Sequence, residues 1–258
     1  MHVLLTRPDA DAEPLKSRIE QLGHRVSLAP LLTIELQNIA STALQGASAI
    51  VATSRNGLRA LAASPALSPA LHLPLFAVGP ATSAYARELG FVNILPGAGT
   101  AADLVPIIAA NPAAKVGSIV HLAGVHLAFD LAGVLAQLGI RLTALPAYRS
   151  VAAETLDPGI AAGLEAKAFD AVILMSPRTA ATWADLMQKP SFAAALTAMT
   201  HICLSDAVAA EVRDKLPQKY PGSPLASPNA ARIEVAAKPK TEEILALVSR
   251  LAAQSNPE

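Results

Sequence analysis

Short runs rich in Val, Ile and Leu alternate along the chain with Ala-rich stretches of helical length. The apolar runs His2–Thr6, Arg25–Ala29, Ala49–Thr53, Leu75–Gly79, Val92–Leu95, Ser118–Ala123, Arg141–Leu145, Asp170–Ser176, His201–Ser205 and Arg232–Ala236 predict strands. Helices are predicted between them, for example over Ala10–Leu22 and Leu127–Leu138, followed by Gly23 and Gly139. Glycine commonly follows a helix end because the left-handed conformation there costs it little. Strands that are apolar throughout, alternating with helices, indicate parallel sheets covered on both faces. The fold class is α/β. Trp183 and Met187, four apart, read as the buried stripe of one helix.

The same pattern occurs twice. Gln21-Leu22-Gly23-His24-Arg25 resembles Gln137-Leu138-Gly139-Ile140-Arg141 at an offset of 116, which also carries Pro30 to Pro146 and the first strand to Ser118–Ala123. Ala49–Asn56 resembles Ala171–Arg178, with Ser54 and Ser176 offset by 122, and Val78-Gly79-Pro80-Ala81 resembles Leu204-Ser205-Asp206-Ala207 at 126. Slowly growing offsets fit one duplicated α/β unit with small loop insertions.

Composition narrows the function classes. At 258 residues the chain is one large domain or two ordinary ones, large enough to fold without disulfides or a structural metal. Cys203 is the single cysteine, so an internal disulfide or a multi-cysteine zinc site is excluded. Twenty Lys plus Arg balance twenty Asp plus Glu, which argues against nucleic-acid binding. Residues 60–86 carry no formal charge, but Pro65, Pro69, Pro74 and Pro80 interrupt them, so no membrane span is expected. Val3-Leu4-Leu5 is too short for a signal-peptide core. A soluble, cytoplasmic protein follows, and a monomer is expected.

Ligands of open parallel sheets bind beyond the carboxyl ends of the strands, where helices begin. Thr6-Arg7-Pro8-Asp9, Thr53-Ser54-Arg55-Asn56, Gly79-Pro80-Ala81-Thr82 and Ser176-Pro177-Arg178-Thr179 all leave an apolar strand and start a helix. Proline suits the first helical position, as expected of Pro8, Pro80 and Pro177. Free amides and the helix dipole there favour an anion. Ser and Thr at such places can also be plain helix caps. Several such turns together imply a ligand with several negative groups spread across a cleft.

Other motifs weaken when weighed. Gly97-Ala98-Gly99-Thr100-Ala101-Ala102 has the form of a dinucleotide loop, but His121-Leu122-Ala123 stands where an acidic residue should follow, so a loop leading into an ordinary helix is expected. His121 and His126 offer no metal-ligand geometry by spacing alone; His126 could meet an anion at the strand end, but it reads first as a solvated loop residue. Cys203, within His201-Ile202-Cys203-Leu204, reads as a core thiol. Tyr148, in Leu145-Pro146-Ala147-Tyr148-Arg149-Ser150, corresponds in the repeat to Leu32. A phenol there can donate a proton or hydrogen bond, which leucine cannot. Packing at a domain interface is the other role open to it.

Taken in order, Leu5-Thr6-Arg7-Pro8, Leu22-Gly23, Pro30-Leu31, Thr53-Ser54-Arg55-Asn56-Gly57-Leu58, Val78-Gly79-Pro80-Ala81-Thr82, Ala147-Tyr148-Arg149 and Met175-Ser176-Pro177 resemble the uroporphyrinogen-III synthase family along nearly the whole chain. The resemblance implies two similar parallel-sheet, flavodoxin-like α/β domains joined by a two-strand linker, with a cleft between them. Residues 1–33 plus 152–258 would form a discontinuous domain, 38–146 the inserted one, and 34–37 with 147–151 the linker. It implies cyclisation of hydroxymethylbilane, a linear tetrapyrrole with eight carboxylates, with loss of water and inversion of the last ring. No metal or organic cofactor is expected. Tyr148 is then the candidate catalytic residue. Arg7, Thr53, Ser54, Asn56, Gly79, Thr82, Gly124, Ser176 and Ser205 are the candidate substrate-binding residues.

Some positions depart from the family pattern. Ser205-Asp206-Ala207-Val208 stands where glycine and threonine are usual, and Gly124-Val125-His126-Leu127-Ala128 lacks the basic residue often found there. Asp206 would repel a polycarboxylate unless it caps its own helix. A non-catalytic α/β protein or diverged paralogue that binds a tetrapyrrole or another polyanion is the alternative. A nucleotide-sugar transferase is disfavoured, since no acidic pair for a metal is evident.

Overall fold

The computed structural model describes residues 1–127, 129–227 and 230–255. The chain divides into two compact units, Met1–Thr33 with Val151–Glu258, and Ile34–Ser150. The strands in chain order are β1 (His2–Leu5), β2 (Arg25–Leu28), β3 (Leu32–Leu36), β4 (Ala47–Ala52), β5 (Leu75–Ala77), β6 (Ile94–Pro96), β7 (Ser118–Gly124), β8 (Leu142–Ala152), β9 (Ala171–Leu174), β10 (Thr200–Cys203) and β11 (Arg232–Val235).

The discontinuous unit holds a five-stranded sheet in the order β2-β1-β9-β10-β11, with every pairing parallel. This is the flavodoxin-like order, in which the first strand lies between the second and third. Alternate residues serve opposite faces, because side chains along a strand alternate with period two. Leu4, Val172, Leu174 and Cys203 pack with Trp183 and Phe192 on one side, and Val3, Leu5, Ala171, Ile173 and Ile202 pack with Ile19 and Val248 on the other. Both faces are buried, which is why these strands carry no polar alternation.

The continuous unit is built around the order β8-β7-β4-β5-β6, with β3 added beside β8. Its two faces again separate, with Ile50, Ala52, Val120 and Leu122 in one cluster and Ala49, Val51, Phe76 and Ile119 in the other. If β7, β8, β4, β5 and β6 are set against β1, β2, β9, β10 and β11, the two strand orders coincide. That correspondence is the one the repeated sequence segments make. β3 and β8, neighbours in the sheet, carry the chain across the boundary between units.

Several expectations shift in detail. The helix predicted over Leu127–Leu138 spans Leu131–Gln137, because the Asp130 carboxylate accepts a 2.9 Å hydrogen bond from the Gly133 amide and starts it there. Ala128 lies outside the described residues. β6 begins only at Ile94, and Val92 is 91% exposed instead of serving as its first residue. β8 continues to Ala152, well past the predicted Leu145. Pro80 and Pro177 occupy first helical positions, but Pro8 sits one place earlier, at the cap of the helix Asp9–Gln21 with extended ψ of 139°.

Other expectations are met. Gly23 and Gly139 close their helices with φ of +82° and +73°. Trp183 and Met187 are fully buried. Cys203 is a buried free thiol, and burial pushes its pKa up to about 12. Among the described residues, no helix is long and apolar enough to cross a membrane.

Candidate functional site

One face of the continuous sheet changes character along its strands. On it Ala49, Val51, Phe76 and Ile119 are apolar. Two residues further along their strands, that face carries Thr53, Val78 and His121. On β4 and β7 the face turns polar at Thr53 and His121, while β5 is followed by the apolar Val78; open parallel sheets bind ligands toward the carboxyl ends of their strands. A recess of about 430 Å³ opens there, and Thr53, Thr100, His121, Gly124, His126 and Tyr148 are among its walls. A larger recess, about 560 Å³, lies at the opposite strand ends of the same unit among Lys115, Val116, Leu138 and Arg141, away from the carboxyl ends.

Tyr148 and Gly124 meet as register partners of β8 and β7, at an irregularity that follows Ala123. Such bulges re-aim side chains. A Cβ on Gly124 would approach the Tyr148 ring to 3.0 Å and its Oη to 3.1 Å, so the phenol lies directly over the glycine. The absent side chain is what admits the ring.

Thr53 Oγ1 and His121 Nε2 lie 2.8 Å apart. His121 is buried, and desolvation lowers its pKa to about 4, so the imidazole is neutral at physiological pH. The nearby loop is held by Asp103, whose carboxylate accepts from both the amide and the hydroxyl of Thr100 at 2.8 Å. Those two hydrogen bonds lower the Asp103 pKa. Among the described residues, no Asp, Glu, Lys or Arg lines the recess. It is therefore a neutral, hydrogen-bonding site whose donors are hydroxyl, imidazole and backbone groups.

Of the predicted residues, Thr53, Gly124 and Tyr148 come together here. Ser54, Asn56, Gly79 and Thr82 stand at the starts of the helices behind β4 and β5 and do not line the recess. Ser54 caps its helix by accepting from the Asn56 amide at 3.2 Å, and Asn56 Oδ1 accepts from Arg59 Nη1 at 2.6 Å. A Cβ on Gly79 would meet the Gly99 Cα at 3.3 Å, so Gly79 allows that loop to approach.

Arg7, Ser176 and Ser205 belong to the other unit, at the ends of β1, β9 and β10. Ser176 caps its helix through the Thr179 amide at 3.1 Å. Ser205 occupies a cap position without a side-chain cap bond. Asp206 does not cap; it is the first residue of the helix Asp206–Lys215, where its charge favours the helix dipole.

Sequence reasoning set His121 aside. The signal available was a lone polar residue in the middle of the otherwise apolar run Ile119-Val120-His121-Leu122-Ala123. The loop Gly99–Ala102 also lines the recess, as does His126, which is exposed as expected of a loop histidine. Among the described residues no three His, Cys, Asp or Glu side chains group as a metal site.

Residues 13–220 match the family described as uroporphyrinogen-III synthase HemD. The chain belongs to this family. Its fold is similar to that of the uroporphyrinogen-III synthetase of Helicobacter pylori 26695, at a TM-score of 0.65 and 14% identity over 97% of this chain and 99% of that one. A mutant uroporphyrinogen III synthase of the extremely thermophilic bacterium Thermus thermophilus is similar at 0.55 and 19% identity, over 99% and 100% of the two chains. Among curated proteins none matches the chain in sequence.

Proposed function

We propose that the chain is an active uroporphyrinogen-III synthase, a hydro-lyase that closes hydroxymethylbilane with loss of water and inversion of the last ring. The observation that carries this beyond family membership is the Tyr148 phenol, held over Gly124 in a recess with no carboxylate among its described walls. Tyr148 gives its proton to the departing hydroxyl, which leaves as water. The substituted α-carbon of the last pyrrole attacks the methylene cation to give a spiro connection, and its original bond to the methylene of the neighbouring ring then breaks. That released methylene is captured by the free α-carbon of the last ring, which leaves the ring inverted. Loss of the surplus proton from that α-carbon restores the pyrrole and returns a proton to the Tyr148 phenolate, directly or through solvent. Positioning of the linear chain, more than acid strength, favours this route over direct end-to-end closure.

The carboxylates are held mostly by neutral donors: Thr53 and Gly124 in the recess, Ser54, Asn56, Gly79 and Thr82 at neighbouring helix starts, and Ser176 and Ser205 on the other unit, joined there by the cationic Arg7. Helix-start amides suit this task because they carry partial positive charge without being cations. Residues 34–37 and 147–151 serve as the connection between the units. No metal or organic cofactor takes part, and the protein acts as a cytoplasmic monomer.

Incubation with enzymatically generated hydroxymethylbilane, followed by separation of the type I and type III isomers, tests the reading. Type III product is expected. Type I alone would overturn it in favour of a polyanion-binding protein, the reading that Asp206 at the start of its helix favours.

A further inference from the structure

The Thr53–His121 pair is a partly buried polar contact that the proton-transfer chemistry does not use. The two residues come from β7 and the turn after β4, adjacent strands that are distant in sequence, with His121 in register with Val51. The Thr53 hydroxyl has one hydrogen and a neutral imidazole has one N–H, so the direction of their hydrogen bond decides what Thr53 offers the recess. If Nε2 accepts, the Thr53 hydrogen points at the ring and only oxygen lone pairs face the cavity, which repels a carboxylate. If Nε2–H donates, the Thr53 hydrogen is free to turn outward, and the donated bond polarises it. Thr100 cannot play this part, because its hydroxyl is spent on Asp103.

We propose that His121 is a positioning residue that donates through Nε2–H to Thr53 Oγ1 and so fixes the Thr53 hydroxyl as a donor to one substrate carboxylate, beside Tyr148. The identity of the ligand, a polycarboxylate tetrapyrrole, rests on the synthase reading; the direction of the hydrogen bond rests only on the ligand being an anion. A neutral imidazole suits the role because no buried cation has to be desolvated to bind the anion. Its burial keeps it in that form.

Two measurements test the subsite. Imidazole nitrogen shifts of the histidine-labelled protein at neutral pH should show the Nε2–H tautomer for His121; the Nδ1–H tautomer would overturn the proposal. Titration with uroporphyrin III, an octacarboxylate, should give a Kd raised about tenfold in His121→Leu and in Thr53→Val, the size expected for one hydrogen bond to a charged group. The double variant should bind no more weakly than either single one, since both remove the same donor. His121→Gln, whose side-chain amide can reach Thr53, should restore most of the affinity.

For turnover, KM for hydroxymethylbilane should follow Kd while kcat stays near the wild-type value. Wild-type affinity in His121→Leu, or losses that add in the double variant, would refute the subsite. Should His121→Leu not fold, Thr53→Val and His121→Gln carry the same test. A wild type that shows these binding effects yet makes only type I product refutes the synthase reading and leaves the subsite standing. Type III formation with unaltered His121→Leu binding does the reverse.

Discussion

The two units share one strand order, yet each buries a histidine with a different consequence. In the continuous unit His121 sits midway along β7, bonded to Thr53 beyond the end of β4 and facing a recess. In the discontinuous unit His201 lies within β10, edge-on to Trp183 with ring centroids 6.3 Å apart, and among the described residues neither its ring nitrogens nor Trp183 Nε1 meets a partner at hydrogen-bonding geometry. Burial lowers the pKa of both histidines to about 4, opposed at His201 by the Arg232 backbone. The same desolvation thus yields a site in one unit and only a stability liability in the other. A shared fold does not distribute chemistry evenly; what stands beside a buried side chain decides it.

The largest effect expected from this contrast is on turnover in the continuous unit. Tyr148→Phe should cut type III formation by about 100-fold or more, the contribution of a positioned proton donor, with folding intact. Gly124→Ala should lose a smaller part of the activity, since its Cβ would press on the ring from 3.0 Å. Product-isomer kinetics on both variants decide the matter, and full type III formation by Tyr148→Phe removes the phenol from the mechanism.

Acid stability comes next, in the other unit. His201 has a folded pKa below its unfolded value of 6.5, so the unfolded state binds the extra proton. Stability is fully present above about pH 6.5 and falls as pH drops toward 4, by about 3 kcal/mol at the lower end. Urea unfolding followed by the fluorescence of Trp183, the single tryptophan, should show that loss. His201→Leu should remove the His201 share of the loss and leave the comparable share that His121 contributes.

The smallest effects separate the helix starts. Ser54 and Ser176, equivalent in the two units, both cap, so alanine at either should cost about 1 kcal/mol in unfolding measurements. Ser205→Ala should cost only a few tenths, roughly what loss of an unused hydroxyl entails, because no cap bond is broken. Equal losses at Ser176 and Ser205 would contradict the difference.

Much of the fold was legible in the chain. Strands with both faces buried are continuously apolar, and helix ends carry Gly23 and Gly139, so the α/β alternation shows directly. The duplication was legible because equivalent strands keep equivalent neighbours. Element ends were less so: the Asp130 cap moved one helix start, and the exposed Val92 shortened a strand. At the site, Tyr148, Thr53 and Gly124 were nominated individually, but nothing in their spacing showed that they share one recess.

The amino-acid sequence by itself determined the class of fold, the repeated unit, the capped turns and the family, all of which depend on local pattern or ordered motifs. Tertiary structure alone decided that β7 lies between β4 and β8. That order brings His121 to Thr53 across 68 residues and lays Tyr148 on Gly124. Sheet order is a pairing of distant segments, chosen by which arrangement buries both faces at once. A lone histidine in an apolar strand therefore acquires its meaning only when its neighbours across the sheet are in place.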